Sequence, residues 1–480
     1  MLMEFALHPS DGERLPRSKL FTRGRPRYRQ TRLVWHDTAD RALQSQGLIL
    51  EERRGQWVLA RLFPGAAEWL PALAPPVIAQ SALLSELTHL VPEGTAPRAV
   101  FEGKTATYAV TTEAGAMSMT LLRGAVGDTP VCRLTLDGAD AAVRDLAGLL
   151  AGAFQCAVPL ASLAAEAIGI VDGQPPVPRR LGPPRPALDR SVAGAFAHTI
   201  GHLTDVLLHY GPLAATQGPD IEPVHQMRVA VRRARSAIAV FRHGLDCPDV
   251  AAANRDLKAL GAVLGPTRDW DVFVTETLPR IEAAFPDDKR LQRLGKASQA
   301  CRTACHTALN AYLTSPAFRR LGVELAWLCG SDLWLETLGP DARLAAALPP
   351  AEFAAHVLQR RWRKVMATGK AIADLDVPAL HGLRLRAKQA RYAMEIFRSA
   401  DRAKATERLI RRLSRLQEQL GVLNDGAVAG GLLDELGGAG GRHGYAAGLI
   451  MGFLGASAVG QRPRILRAWE KFRRTPRFWT

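Results

Sequence analysis

The sequence predicts a multidomain protein, an α+β domain followed by a larger all-helical one, and three observations carry that prediction. A proline-rich run divides the chain, β-compatible segments precede it, and apolar residues recur at helical spacing through nearly everything that follows. The length of 480 residues, with 47% hydrophobic and 22% charged residues, allows roughly two to four domains with sizeable cores.

The dividing run spans residues 169–187 and contains six prolines, which cannot continue a helix and favour an extended spacer. Domains are therefore expected at 1–168 and 188–480. In the first, residues 56–63, 106–111 and 131–136 read as strands between glycine-bearing turns, and 139–150 as a helix. In the second, helical spacing runs from Val192 to Trp469, with loops expected near 211–223, 285–288, 338–350 and 437–441.

The helical part repeats itself. His225-Gln-Met-Arg228-Val-Ala-Val-Arg232-Arg-Ala-Arg235 returns 156 residues later as His381-Gly-Leu-Arg384-Leu-Arg-Ala-Lys388-Gln-Ala-Arg391. The same offset relates Phe241-Arg242 to Phe397-Arg398, Leu264-Gly265 to Leu420-Gly421, and Asp269 to Asp425. Two repeats follow, at about 190–338 and 350–480.

Charge follows the same division. The net charge is +16, of which residues 1–189 contribute +1 and residues 190–480 contribute +15. An excess of that size favours anionic partners such as nucleic acid, membrane surface or polyphosphate. No apolar run is long enough to span a bilayer, and the first residues lack the layout of a secretory signal, so a cytoplasmic protein without a membrane partner is expected. Of six cysteines only Cys301 and Cys305 are close, without a second ligand pair, and all read as buried free thiols.

At about 100° per residue, His225, Arg228, Arg232 and Arg235 fall within roughly 80° of one helix face, as do His381, Arg384, Lys388 and Arg391. The opposite faces carry Met227, Val231, Ala234, Ile238 and Phe241, and Leu383, Ala387, Ala390, Met394 and Phe397. A solvated face is the ordinary explanation for one basic run. Such faces usually mix both signs, however, and neither ridge holds a carboxylate at its four positions. Guanidinium groups bind phosphate bidentately and lysine adds a point charge, so a periodic anion fits two such ridges. Lys258, Arg360, Arg361, Lys364 and Arg415, on neighbouring helices, are candidates for extending the basic surface.

Neither His225 nor His381 has a second ligand at metal spacing on its own helix, and no metal, cofactor or catalytic residue is expected. The runs from Leu264 to Asp271 and from Leu420 to Asp425 read as a helix stop and restart, with glycine ending one helix and aspartate capping the next.

His-x-x-Arg with its basic ridge, Leu-Gly-x-x-Arg-Asp-x-Asp-Val, Leu-Gln-x-x-Leu-Gly-x-Leu-Asn-Asp and a terminal Arg-Phe-Trp resemble CHAD domains over nearly all of residues 190–480. The resemblance implies two four-helix bundles related by a pseudo-twofold axis, with basic residues lining a shared groove. It also implies non-enzymatic binding of inorganic polyphosphate by His225, Arg228, Arg232, Arg235, His381, Arg384, Lys388 and Arg391, and association with polyphosphate granules.

Val34-Trp35-His36-Asp37-Thr38-Ala39-Asp40, with Leu43, Gly47, Leu50, Arg53 and the run from Trp57 to Arg61, resembles the start of a CYTH domain, an antiparallel triphosphate-tunnel fold, over roughly 1–165. Active members hold a divalent metal with carboxylates alternating on strands. Here the Glu-x-Glu-x-Lys position reads Glu4-Phe-Ala6-Leu-His8, and a late acidic strand is replaced by Cys132-Arg-Leu-Thr-Leu136, so the domain is expected to be degenerate. The eight cations from Arg14 to Arg32 read as a basic loop. Two other functions compete with polyphosphate binding: a metal-dependent triphosphatase or polyphosphatase in the first domain, and nucleic-acid binding at low salt through the second.

Overall fold

The computed structural model describes residues 1–62, 77–79, 94–174, 182–186, 191–216, 220–242, 244–398 and 402–479, and only the backbone of 77–79, 424 and 425. Residues 175–181 and 187 of the proline-rich run and the Asp425 side chain lie outside these residues.

The first part is an antiparallel sheet consistent with a tunnel-like fold. Its strands are β1 (Leu2–Leu7), β2 (Thr22–Arg23), β3 (Arg27–Thr38), β4 (Leu48–Arg53), β5 (Gln56–Arg61), β6 (Val77–Ala79), β7 (Thr95–Thr112), β8 (Gly115–Val126), β9 (Thr129–Gly138) and β10 (Cys156–Ala157). They lie in the order β10-β1-β9-β8-β7-β3-β4-β5-β6, with β2 on β7. Side chains alternate between the two faces. Leu134 and Leu136 enter a core shared with the helical region, whereas Val131, Phe101 and Trp35 enter a second core beneath a helix. The expected basic loop is half strand: Arg27, Arg29 and Arg32 lie on β3, because that segment pairs along its whole length with β7.

Among the described residues the sheet is accompanied by the helices α1 (Pro9–Arg14), α2 (Ala42–Ser45), α3 (Asp140–Ala153) and α4 (Leu163–Asp172). The buried Asp37 accepts the Leu43 and Gln44 amides at 3.0 and 2.9 Å and so tethers α2.

The helical region comprises α5 (Val192–Ala215), α6 (Glu222–Phe241), α7 (Pro248–Val272), a π-helical turn (Phe273–Thr277), α8 (Leu278–Ala284), α9 (Lys289–Leu313) and α10 (Pro316–Gly330). It continues through α11 (Pro340–Ala347), α12 (Pro350–Gly369), α13 (Val377–Ile396), α14 (Ala403–Glu435), α15 (Gly444–Ala458) and α16 (Gln461–Arg473). In repeat one α5, α6, α7 and α9 pack together, and in repeat two α12, α13, α14 and α16 do so. All ten residues of the two apolar stripes are buried. Phe241 and Phe397, equivalent residues of the two repeats, meet edge to face at 5.5 Å, so the repeats join along α6 and α13. The terminal Arg-Phe-Trp clasps α12: Arg477 Nη1 and Trp479 Nε1 both donate to Gln359 Oε1, at 2.9 and 3.2 Å.

Further expectations need correction, beginning with the loop expected from residue 211, where α5 instead continues through Pro212 to Ala215. The segment 338–350 contains α11, whose Pro340 at the first turn and Asp341 just after it are helix-start signals. The two expected stop-and-restart points lie inside helices: α7 runs through Gly265 and Pro266, and α14 through Gly421. Burial at three- and four-residue spacing, Leu264, Thr267, Trp270 and Asp271, continues the packed face past the proline. Thr267 Oγ1 donates to the Val263 carbonyl at 2.8 Å near the site of the lost donor. Finally, Cys301, Cys305 and Cys329 are only partly buried, though all six thiols are free.

The two parts dock directly. Arg144 of α3 lies 3.8 Å over the Trp327 ring and pairs with Asp249 of α7 at 2.8 Å and Glu324 of α10 at 2.6 Å. Arg319 Nε donates to the Ala151 carbonyl at 2.9 Å.

Candidate anion-binding site

The apolar stripes that bury α6 and α13 leave their basic ridges turned toward each other. Arg232 Nη2 donates to Tyr392 Oη at 3.3 Å, and Arg233 pairs with Glu395 at 3.4 Å, both across the repeat boundary. Six of the eight ridge residues are half-buried, with Arg235 and His381 more exposed.

Glycine adjoins a ridge arginine in each repeat. A side chain at Gly265 would stand 3.2 Å from Arg228 Nη1, and one at Gly421 4.0 Å from the Arg384 guanidinium. The Leu-Gly pair that repeats 156 residues apart thus lies beside a ridge arginine in both repeats, and only at Gly265 would a side chain crowd it.

The two ridges lie close enough to act on each other's ionisation. Burial pushes the Lys388 ammonium down to about 7, and Arg232, Arg384, Arg228 and Arg391 push it further in the same direction. These cations come from both repeats. Burial lowers His225, with Arg268 and Arg232 adding to the effect against Glu222 and Glu276. Burial also lowers Arg228, with Arg232 and Arg268 opposing its ionisation and Asp269 favouring it.

Carboxylates absent from the ridges themselves arrive from nearby. Asp269, expected as a helix cap, pairs with Arg228 at 3.2 Å, and Glu395 pairs with Arg391 at 2.8 Å. Even so, the buried donors Arg232 Nε, Arg233 Nε and Arg268 Nη1 have no hydrogen-bond partner among the described residues. Unpaired buried donors are costly, and an anion would satisfy them.

The five flanking candidates separate. Lys258 is exposed on the α7 face that carries Asn254, the partner of Arg235 at 3.4 Å, and so adjoins the ridge. Arg361 meets Gln389 at 3.4 Å, roughly 120° round α13 from the ridge, so Arg361 lies to one side of it, while Arg360 and Lys364 are exposed on α12. Arg415 lines a different cavity, described below. Sequence reasoning missed Arg268, Arg233 and Tyr392. Arg268 stood in the supposed turn after Pro266; only its place in an Arg-Asp-x-Asp run beside the repeat signalled it.

In the sheet domain, Glu4 is held by the buried Arg133 at 3.3 Å, and Arg133 also pairs with Glu166 at 2.5 Å. Burial raises Glu4 against the pull of Arg133. Among the described residues no three His, Cys, Asp or Glu side chains converge as a metal site. A cavity of about 770 Å³ on the sheet is lined by both signs, including Arg32, Lys104, Arg123 and Glu102.

An anion bound between the ridges should return Lys388 to its charged form. Above pH 7, binding is therefore expected to take up about one proton. Calorimetry at pH 8 in buffers of different ionisation heat measures this. Buffer-independent heats, or uptake unchanged in Lys388→Arg, would contradict it. The same depression opposes folding in full below about pH 7, and this is relieved as pH rises toward the ordinary lysine value of 10.5.

The family model of the CHAD domain matches residues 192–434, just over half of the chain. A crystal structure of the CHAD domain from the plant Ricinus communis is 29% identical, with TM-score 0.50, covering 62% of this chain and 99% of its own. PptA from Streptomyces chartreusis is 15% identical at TM-score 0.44, covering 58% of this chain and 99% of its own. No curated protein compared with the chain is similar to it. Among the described residues no helix is long and apolar enough to cross a membrane. With its repeated ridges set in a matched helical region, this chain belongs to the CHAD-domain family.

Proposed function

We propose that this protein binds inorganic polyphosphate without transforming it, through the groove between α6 and α13. The convergence of Arg228, Arg232, Arg384 and Arg391 on Lys388 carries the reading. Cations held close enough to depress one another's ionisation gain most from a ligand of high linear charge density. Polyphosphate supplies a negative oxygen on every unit and no bulky bases, and the aromatic ring that meets Arg232, that of Tyr392, is buried. Single-stranded nucleic acid is ordinarily held on a series of stacking platforms.

In this reading the sheet domain is a degenerate CYTH-like scaffold docked through Arg144, with Glu4 committed to Arg133 rather than to a metal. The setting is cytoplasmic, at polyphosphate granules. Titration with chains of defined length at about 0.15 M salt tests binding. Saturable binding that strengthens from short to long chains, with no phosphate released in Mg²⁺ or Mn²⁺, is expected. Phosphate release, or no binding at that salt, would overturn the proposal.

A further inference from the structure

We infer a second oligophosphate-binding cavity, between α14 and α16, on the side of α14 turned away from the ridges. It has a volume of about 610 Å³ and is lined by Arg411, Arg412, Arg415, Arg464, Arg467 and Lys471. That is an ordinary size for a ligand pocket. None of the six cationic side chains hydrogen-bonds or ion-pairs with a described residue, and among the described residues no carboxylate lines the cavity.

The geometry of α14 separates this cavity from the groove. Gln417 Oε1 accepts from Arg391 Nε at 3.0 Å and Gly421 adjoins Arg384, which fixes the face turned to the ridges. Arg411, Arg412 and Arg415 stand roughly 100–160° round the helix from that face.

Six like charges around one cavity repel one another and do nothing for folding. Elsewhere on α16 the protein neutralises such charge: Arg473 and Arg474 both pair with Glu470. The cavity is also private to the second repeat. At the 156-residue offset, buried Leu309 and Leu313 of α9 match buried Ile465 and Trp469 of α16, so the correspondence reaches this helix. The six cations then correspond to Arg255, Asp256, Ala259, Ala308, Ala311 and Ser315, a single cation and a carboxylate. A cluster inherited with the fold would recur in both repeats.

Five guanidinium groups and one ammonium converging from two helices suit several phosphates held close together, more than any single phosphate or carboxylate. The ligand is either a short oligophosphate in its own right or a stretch of a longer chain. The inference stands apart from the ridge reading, since it uses none of the ridge residues.

The test is calorimetric titration of the full-length protein with tripolyphosphate at about 0.15 M salt. The comparison is with R415A/R464A/R467A and with a variant carrying alanine at Arg228, Arg232, Arg384 and Lys388. The triple variant is expected to lose one equivalent of bound tripolyphosphate, which the ridge variant keeps. An unchanged isotherm in the triple variant overturns the cavity, whatever the ridge variant does. Arg467→Glu, a single reversal at an exposed position, carries the same expectation should the triple variant not fold. Long polyphosphate then decides the source. A tenfold weaker affinity in the triple variant means that one chain occupies both places; an unchanged affinity beside the lost tripolyphosphate equivalent means a separate small ligand.

Discussion

Replacing Arg228, Arg232, Arg384 and Lys388 together by alanine is expected to weaken binding of long polyphosphate by roughly a thousandfold, about 4 kcal/mol. Hydrogen bonds to charged groups are each worth about 1.5–3 kcal/mol, and the sum falls short of full additivity because Arg228 is partly spent on Asp269. The fold should survive, since the four side chains leave the buried stripe of Met227, Val231, Leu383 and Ala387 untouched. Circular dichroism and a melting curve establish that, and fluorescence-detected titration gives the affinity. A folded variant with wild-type affinity would place the anion elsewhere. Single substitutions should show far smaller losses, because neighbouring cations in a multivalent groove compensate.

The second large effect concerns stability. Asp271 is fully buried at the end of α7, and its Oδ1 accepts from Arg302 Nε at 2.7 Å and from His306 Nε2 at 2.9 Å. Burial raises this carboxyl, but His306 and Arg302 outweigh burial and hold it below the usual aspartate value. Removing one member of a buried charge cluster strands the others, so Asp271→Ala is expected to cost about 3 kcal/mol. Urea unfolding measures this, and a wild-type midpoint would refute the tie between α7 and α9. The sign of the pH dependence follows from the depressed value. The contribution is complete above the ordinary aspartate range and is lost as pH falls through the folded-state value.

The ridges were legible in the sequence because helical periodicity converts directly into a face. His225, Arg228, Arg232 and Arg235 need only the angle per residue to be placed together. That the second ridge lies against the first was not legible from either helix alone. It follows from contacts such as Phe241 with Phe397, which join residues distant in the chain. Local signals misled where tertiary packing overrode them. Gly265 and Pro266 have the chemistry of a helix stop, yet α7 continues because Trp270 and Asp271 are buried beyond them, and Gly265 serves to seat Arg228. Misreading that turn also hid Arg268, which sits beside His225 and Arg228. In the sheet domain, strand alternation located β5 and β9, but the pairing of β3 along β7 involves segments dozens of residues apart and carried no local mark.

The most direct test of the central claim is competition at about 0.15 M salt between long polyphosphate and DNA or RNA, single- and double-stranded, for the full-length protein. If the facing ridges form a polyphosphate groove, polyphosphate displaces every nucleic acid at comparable phosphate concentration, and nucleic acid does not displace polyphosphate. Equal competition in both directions, or displacement of polyphosphate by nucleic acid, would show only a general attraction of a basic surface for polyanions and would contradict the account.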